Sequence, residues 1–134
     1  MKVFWGEPGT GKSHRAFQEA RAQGAEKVYV KDPVTKWWDG YDPTKHEYVV
    51  VDEFEGGWSL GHFLRWTDKW ASDVEIKGGR LPFKAKAIWF TSNKSPDDWY
   101  PMATEAQRGA VRRRIDVTHF SVPFRRLVFS HVEI

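Results

Sequence analysis

Apolar and polar positions change period several times along the chain, and each change predicts an element. Val3-Phe4-Trp5 is a short apolar run that breaks into a Gly-rich stretch, Gly6 to Gly11, and then into a helical pattern with Ala16, Phe17 and Ala20 on one side. Strand, loop and helix follow in that order. Gly24 closes the helix, and a second short strand, Val28-Tyr29-Val30, stops at Asp32-Pro33. After the aromatic loop Trp37-Trp38-Asp39-Gly40-Tyr41 comes Tyr48-Val49-Val50-Val51, an uninterrupted apolar run of the kind buried on both faces of a parallel sheet. Ser59 is placed to cap a helix that turns Leu60, Phe63 and Leu64 inward, with Trp66 and Trp70 four apart along one edge.

From 73 to 84 the period becomes two. Val74 and Ile76 alternate with Asp73, Glu75 and Lys77, and beyond Gly78-Gly79 Leu81 and Phe83 alternate with Arg80 and Lys84, which predicts a hairpin. With Gly78-Gly79 as its two-residue turn, Lys77 faces Arg80, Ile76 faces Leu81, Glu75 faces Pro82 and Val74 faces Phe83. One face is then wholly apolar, and the other ends in two opposed cations. Such a pair costs stability unless an anion lies close by. Ala87-Ile88-Trp89-Phe90 reads as another buried strand, and Ser95-Pro96-Asp97-Asp98 as a helix start. Thr104 with Gln107 offers a capping box for one more helix, and Val117 to Val132 reads as strands around Pro123. The alternation of strand and helix makes this an α/β chain with a mostly parallel sheet flanked by helices.

Composition narrows the picture. With 134 residues, 40% hydrophobic and 29% charged, the chain is one globular domain spanning 1–134. The lack of Cys excludes a disulfide framework, a thiolate metal site and a Cys nucleophile. No apolar run approaches the roughly 20 residues of a membrane span, and the start lacks the pattern of a signal peptide, so no membrane partner is expected. A net charge of +3 tilts toward an anionic partner, and the charge is segregated: residues 39–55 carry −5 and residues 74–94 carry +4.

The chemistry begins at the first loop. Gly6-Glu7-Pro8-Gly9-Thr10-Gly11-Lys12-Ser13 matches the phosphate-binding P-loop at every fixed position, between the strand and the helix that the pattern needs. Backbone N–H groups of such a loop turn inward as an anion nest, and the positive end of the helix adds to the attraction. Lys12 reaches the β and γ phosphates of ATP in this scheme, and Ser13 puts its hydroxyl on Mg²⁺. A plain Gly-rich turn is the bland alternative. Val49-Val50-Val51 delivers Asp52 and Glu53 to the C-terminal end of a strand, where ligands bind in open α/β sheets. Asp52 fits the Mg²⁺-holding acid, and Glu53 fits the general base that polarises the attacking water. A solvated acidic loop is the alternative there.

Asn93, after another buried strand, is placed to hydrogen-bond the γ-phosphate or that water, or else simply shapes a turn. Arg112-Arg113-Arg114 ends the last helix, where cations suit the dipole, and no acid near them in sequence is placed to pair. An arginine finger, which a neighbouring subunit can supply, is the sharper reading. Lys77, Arg80 and Lys84 suit a nucleic-acid backbone, or a solvated hairpin tip. His14, His46, His62, His119 and His131 show no metal-ligand spacing.

Taken together, Gly6 to Ser13, Val49-Val50-Val51-Asp52-Glu53-Phe54, the Lys77-Gly78-Gly79 hairpin, Thr91-Ser92-Asn93 and Arg113-Arg114-Ile115 resemble the superfamily 3 helicase domain of circovirus-like replication-initiator proteins. Trp37-Trp38-Asp39-Gly40-Tyr41 and Val74-Glu75-Ile76-Lys77-Gly78-Gly79 with Pro82-Phe83 are similar to that family too. The resemblance implies an AAA+ type fold, a hexameric ring of identical chains, ATP hydrolysed between subunits, single-stranded DNA gripped by the hairpin in a central channel, and a place in the host nucleus. Lys12, Ser13, Asp52 and Glu53 then act in cis, Asn93 is the polar sensor, and Arg113 or Arg114 is the finger donated in trans.

Glu7 stands where the family often has Pro, Glu53 where a second Asp is frequent, and Arg112 where an aromatic often precedes the arginine pair. None of these removes a required group. Family members usually carry an upstream nuclease with a His-hydrophobe-His motif and a Tyr nucleophile. No such motif is present here and the first strand opens at residue 2, so the chain reads as an excised domain without nicking activity. Two other functions compete: a small-molecule P-loop kinase with lid arginines, and a DNA-binding module that does not hydrolyse nucleotide.

Overall fold

A computed structural model describes residues 1–69 and 72–121. Five strands, β1 (Lys2–Gly6), β2 (Val28–Val30), β3 (Tyr48–Val51), β6 (Ala87–Ser92) and β7 (Asp116–Phe120), form one sheet in the order β2-β3-β6-β1-β7, and every pairing in it is parallel. β4 (Ser72–Ile76) and β5 (Gly79–Phe83) form a separate antiparallel hairpin. The helices are α1 (Lys12–Arg21), α2 (Leu60–Trp66) and α3 (Glu105–Arg114).

Alternation along the strands explains the layers. Phe4, Val50 and Trp89 point to one face and meet Ala16 and Ala20 of α1. Val3, Val49, Val51, Ile88 and Phe90 point to the other and meet Phe63 and Trp66 of α2 and Val111 of α3. Both faces are covered, which is why Val49-Val50-Val51 is apolar without a break. Each of the three is fully buried.

The caps expected at Ser59 and Thr104 are formed. Ser59 Oγ accepts the His62 N–H at 3.1 Å, and Thr104 and Gln107 make a reciprocal capping box. At Pro96–Asp98 the proline and acidic turn give only a single 3-10 turn, because Trp99 departs into the core, buried among Phe54, Phe63 and Phe90. Trp38, expected in a loop, is likewise core: it stands edge-on to Trp66, with ring centroids 5.3 Å apart. Trp70 and the strands expected after residue 121 lie outside the described residues.

The hairpin departs from its expected register. Val74 faces Leu81, Glu75 faces Arg80 and Ile76 faces Gly79, so Lys77-Gly78 is the turn and Gly79 already belongs to β5. Gly78 alone of the turn pair takes a left-handed φ, +99°, and one such residue closes the loop. Compared with expectation the partners slip by two residues, which keeps every side chain on its face. Lys77 and Arg80 are therefore not opposed, and the electrostatic penalty argued for that pair does not arise.

Lys31 is a feature that periodicity could not reveal. It follows β2, is 1% exposed, and its ammonium lies 5.4, 5.5 and 5.9 Å from the ring centroids of Trp38, Trp58 and Trp66. The ammonium donates to the Asp32 carbonyl at 2.9 Å and the Thr35 carbonyl at 2.6 Å. Burial pushes its pKa down to about 8, against a smaller upward pull from Asp32. An unfolded lysine titrates near 10.4, so between pH 8 and about 10 the unfolded chain holds more protons than the folded one. Stability conferred by this residue should therefore rise with pH in that window. Above about pH 10 Tyr29, whose pKa burial pushes up to about 12, titrates in the opposite sense. Denaturant midpoints from pH 7.5 to 10 check this: Lys31→Met is expected to flatten the rise, and an equal slope in both proteins would contradict it.

Candidate functional site

Val3 and Phe4 bury β1 in the middle of the sheet, so Gly6 to Gly11 leaves at its C-terminal edge, between β6 and β7. Gly11 sits at φ +82° as the residue before α1, a left-handed position that turns the chain into the helix at low cost. The Glu7 carbonyl organises the loop: it accepts Thr10 Oγ1 at 2.8 Å and Lys12 Nζ at 3.3 Å. Lys12 is the first residue of α1, and its side chain folds back over the loop, 7% exposed. The ammonium is thus held at the mouth of the nest. Pro8 and Gly9 complete the loop, exposed at its tip.

Asp52 follows β3 directly. Its Oδ1 accepts Ser13 Oγ at 2.7 Å and Thr91 Oγ1 at 2.6 Å, so residues 39 positions to either side of it meet on one carboxylate oxygen. β6 lies between β1 and β3, which explains how its Thr91 reaches across. Thr91 is fully buried, and the same hydroxyl accepts the Glu53 N–H at 2.8 Å. One side chain therefore orients both acids. In the sequence Thr91 stands out only as one of two polar residues ending an otherwise apolar strand.

Glu53 takes φ +59°, the one non-glycine positive φ among the described residues. Backbone strain of about 1–3 kcal/mol persists only where its surroundings impose it. Here the Glu53 N–H is held by Thr91 and the Phe54 N–H by the Thr91 carbonyl at 2.7 Å, while Phe54 is buried. The turn leaves the Glu53 carboxylate exposed on the loop side of the sheet. Asn93 is exposed one residue beyond β6, next to the start of the P-loop, since Ser92 pairs with Trp5. Its N–H donates to Glu55 Oε1 at 3.1 Å.

Ser13 and Asp52 bring a hydroxyl and a carboxylate oxygen to one point. That set suits Mg²⁺, which takes few protein oxygens and completes its octahedron with phosphate and water. Among the described residues no cluster of three or more His, Asp or Glu forms a separate metal site.

Lys77, Arg80 and Lys84 all lie exposed on the hairpin, with no ion pair to a described residue. The three arginines, by contrast, differ from one another. Arg112 pairs with Asp97 at 2.9 Å and Glu105 at 2.8 Å, and Arg114 lies 3.6 Å from Asp68. The expectation that the run lacks acidic partners is therefore corrected for two of the three: folding brings in Asp97 and Asp68, and Glu105 lies two turns back on the same helix. Arg113 is exposed and makes no ion pair with a described residue. All three sit before Asp116, which pairs with Lys2 at the start of β1, so the run is at the opposite end of the sheet from the P-loop.

Comparison with known proteins agrees with this fold. The family described as RNA helicase matches residues 2–94. The replication-associated protein of Porcine circovirus 2 is 42% identical over 115 residues, covering 86% of this chain and 35% of the relative. That of Goose circovirus is 40% identical over 114 residues, with 85% and 36% covered. That of Human associated cyclovirus 1 is 36% identical over 115 residues, with 84% and 40% covered. The chain thus spans little more than a third of the length of these relatives. NtrX from Brucella abortus, solved in complex with ADP, superposes with a TM-score of 0.60 over 98% of this chain and 35% of its own, at 14% identity, a likeness of fold. With its P-loop, its parallel sheet and a family match over most of its length, the chain belongs to the RNA helicase family of superfamily 3 type, as a relative of circovirus replication-associated proteins.

Proposed function

We propose that this domain is an ATP-hydrolysing helicase motor that moves on single-stranded DNA as a ring, in a viral replication protein acting in the host nucleus. The observation that carries the nucleotide half is the junction at Asp52, where the P-loop serine, the strand-end acid and Thr91 meet within 2.7 Å. Residues 6–13 cradle the phosphates, with Lys12 against the β and γ groups. Ser13 and Asp52 hold Mg²⁺, which supplies charge neutralisation and orientation of the phosphates. Glu53 takes the proton of the attacking water, and Asn93 orients that water or the γ-phosphate.

The position of the arginines supports a site shared between subunits. Five residues of β1 span about 16 Å, so Arg113 and Arg114 are too far from their own P-loop to touch its phosphates. They instead line a cleft of about 650 Å³ with Lys69, Lys86, Met1 and Asp68, at the end of the domain that a neighbour's P-loop would face. This also weighs against the kinase alternative, whose lid arginines close over their own site. The test is the ATPase rate, with and without single-stranded DNA or RNA, across protein concentration. A rate that rises with concentration and with nucleic acid supports the reading. A rate indifferent to both opposes it.

The hairpin supplies the nucleic-acid half: its three exposed cations suit a phosphate backbone. Lys77→Ala should weaken single-stranded DNA binding uniformly across sequences, since a backbone contact carries no base information. The slope of log K against log salt should flatten by about 0.7 per lost contact. Fluorescence anisotropy at several salt concentrations measures it, and an unchanged slope would return Lys77 to a solvated tip.

A further inference from the structure

Among the described residues, the polar contacts of the loop Trp37-Trp38-Asp39-Gly40-Tyr41 go largely to the hairpin. Trp37 forms an isolated parallel bridge with Glu75, and the Trp38 N–H donates to the Glu75 carbonyl at 2.8 Å. Asp39 Oδ1 accepts the Lys77 N–H at 2.9 Å, in the turn itself. Tyr41 Oη accepts the Lys84 N–H at 3.0 Å, just past the end of β5. The hairpin is held along β4, at its tip and at its foot. The clamp is anchored in turn: Trp38 and Tyr41 are buried, and Tyr29 Oη on β2 donates to the Asp39 carbonyl at 2.8 Å.

An isolated two-stranded hairpin is marginal in water, and an exposed turn opens locally at little cost. This one is tipped by Lys77-Gly78 followed by a second glycine, the least restrained backbone of any residue type. A carboxylate that captures the turn amide forms a charge-assisted bond, stronger than a neutral one. It is also the one hydrogen bond to the turn from a described side chain outside the hairpin. Ordering the tip before a strand arrives removes part of the conformational cost of binding.

We propose that Asp39 is a positioning residue for the cationic hairpin tip, fixing the Lys77 backbone so that its ammonium is presented to nucleic-acid phosphates. The proposal rests on the reading of the hairpin given above, and the experiment separates the two. The domain is compared with Asp39→Ala, Asp39→Asn, Lys77→Ala and the Asp39→Ala/Lys77→Ala double variant. Amide hydrogen exchange at Lys77, affinity for a fluorescein-labelled thymidine oligonucleotide and basal ATPase rate are the readouts.

Asp39→Ala is expected to speed exchange at Lys77 while leaving the β1 and β3 amides protected and the basal rate unchanged. Affinity should fall by about 2- to 12-fold, the scale of one net hydrogen bond. Asp39→Asn, whose amide oxygen still accepts, should recover most of the loss. The double variant should bind no more weakly than Lys77→Ala alone, because Asp39 acts through that lysine. Losses that multiply in the double variant, or full affinity in Asp39→Ala where Lys77→Ala is weakened, overturn the positioning role and leave the hairpin reading standing. Full affinity in Lys77→Ala overturns both.

Discussion

Replacing Lys12 by Ala is expected to reduce nucleotide hydrolysis to background while leaving the fold intact. The lysine belongs to neither core cluster; its ammonium bends back to the Glu7 carbonyl at 3.3 Å, a long bond whose loss costs little. What disappears is the one lysine charge held at the mouth of the nest, which acts on phosphates as a point charge. Circular dichroism and the melting temperature should match the parent protein. Glu53→Gln makes the informative contrast. The strained turn at φ +59°, the Thr91 contact and the Ser13–Asp52 bond all survive, so nucleotide should still bind. Hydrolysis should slow by about 10²- to 10⁴-fold if the carboxylate takes the water's proton. Unchanged turnover in Lys12→Ala would overturn the phosphate site, and lost binding in Glu53→Gln would move Glu53 from base to metal ligand. Equilibrium binding of a fluorescent ATP analogue beside a steady-state phosphate assay reads all of these.

The parts of this site that were legible in sequence are those set by the local chain. Gly6 to Ser13 needs only its own glycines and its flanking strand and helix. Val49-Val50-Val51 announces a strand buried on both faces, and the residues after such a strand emerge at the ligand edge. Thr91 was not legible as a site residue, because its role depends on β6 lying between β1 and β3. That order is a tertiary fact. Lys31 was hidden for a related reason: its three tryptophans come from residues 38, 58 and 66, and their convergence on one ammonium leaves no periodic trace.

The hairpin shows a different limit. Alternation fixes which residues share a face, and it did so correctly, with Val74 and Leu81 turned the same way. It cannot tell apart two registers that differ by two residues, since both satisfy the pattern. The choice fell to Gly78 as the left-handed turn residue and to the tethers from Trp38 and Asp39, which come from a loop 37 and 38 residues earlier in the chain. The acidic partners of the arginine run are hidden from the sequence for the same reason: Asp97 and Asp68 come near it only in the fold.

Arg112 is tied to Asp97 and Glu105 and helps hold α3 against the turn at Pro96–Asp98; Arg113 is exposed, and Arg114 donates to the Ala110 carbonyl at 2.9 Å and lies 3.6 Å from Asp68. If a finger comes from the next subunit, Arg113 reaches out most readily, and Arg114 does so by giving up its Ala110 and Asp68 contacts. Replacing both by Ala should cut turnover by about 10³-fold or more, the scale of an arginine finger, with little change in nucleotide affinity. Specific activity of the parent protein should rise with concentration as rings form. The decisive experiment mixes two inactive proteins, the double-Arg variant and Lys12→Ala. A mixed ring contains interfaces that pair an intact P-loop with an intact finger, so partial activity should return where each protein alone has none. Activity that is independent of concentration, together with full turnover in the double-Arg variant, would place a complete site within one chain and favour a kinase-like enzyme over a ring-forming motor.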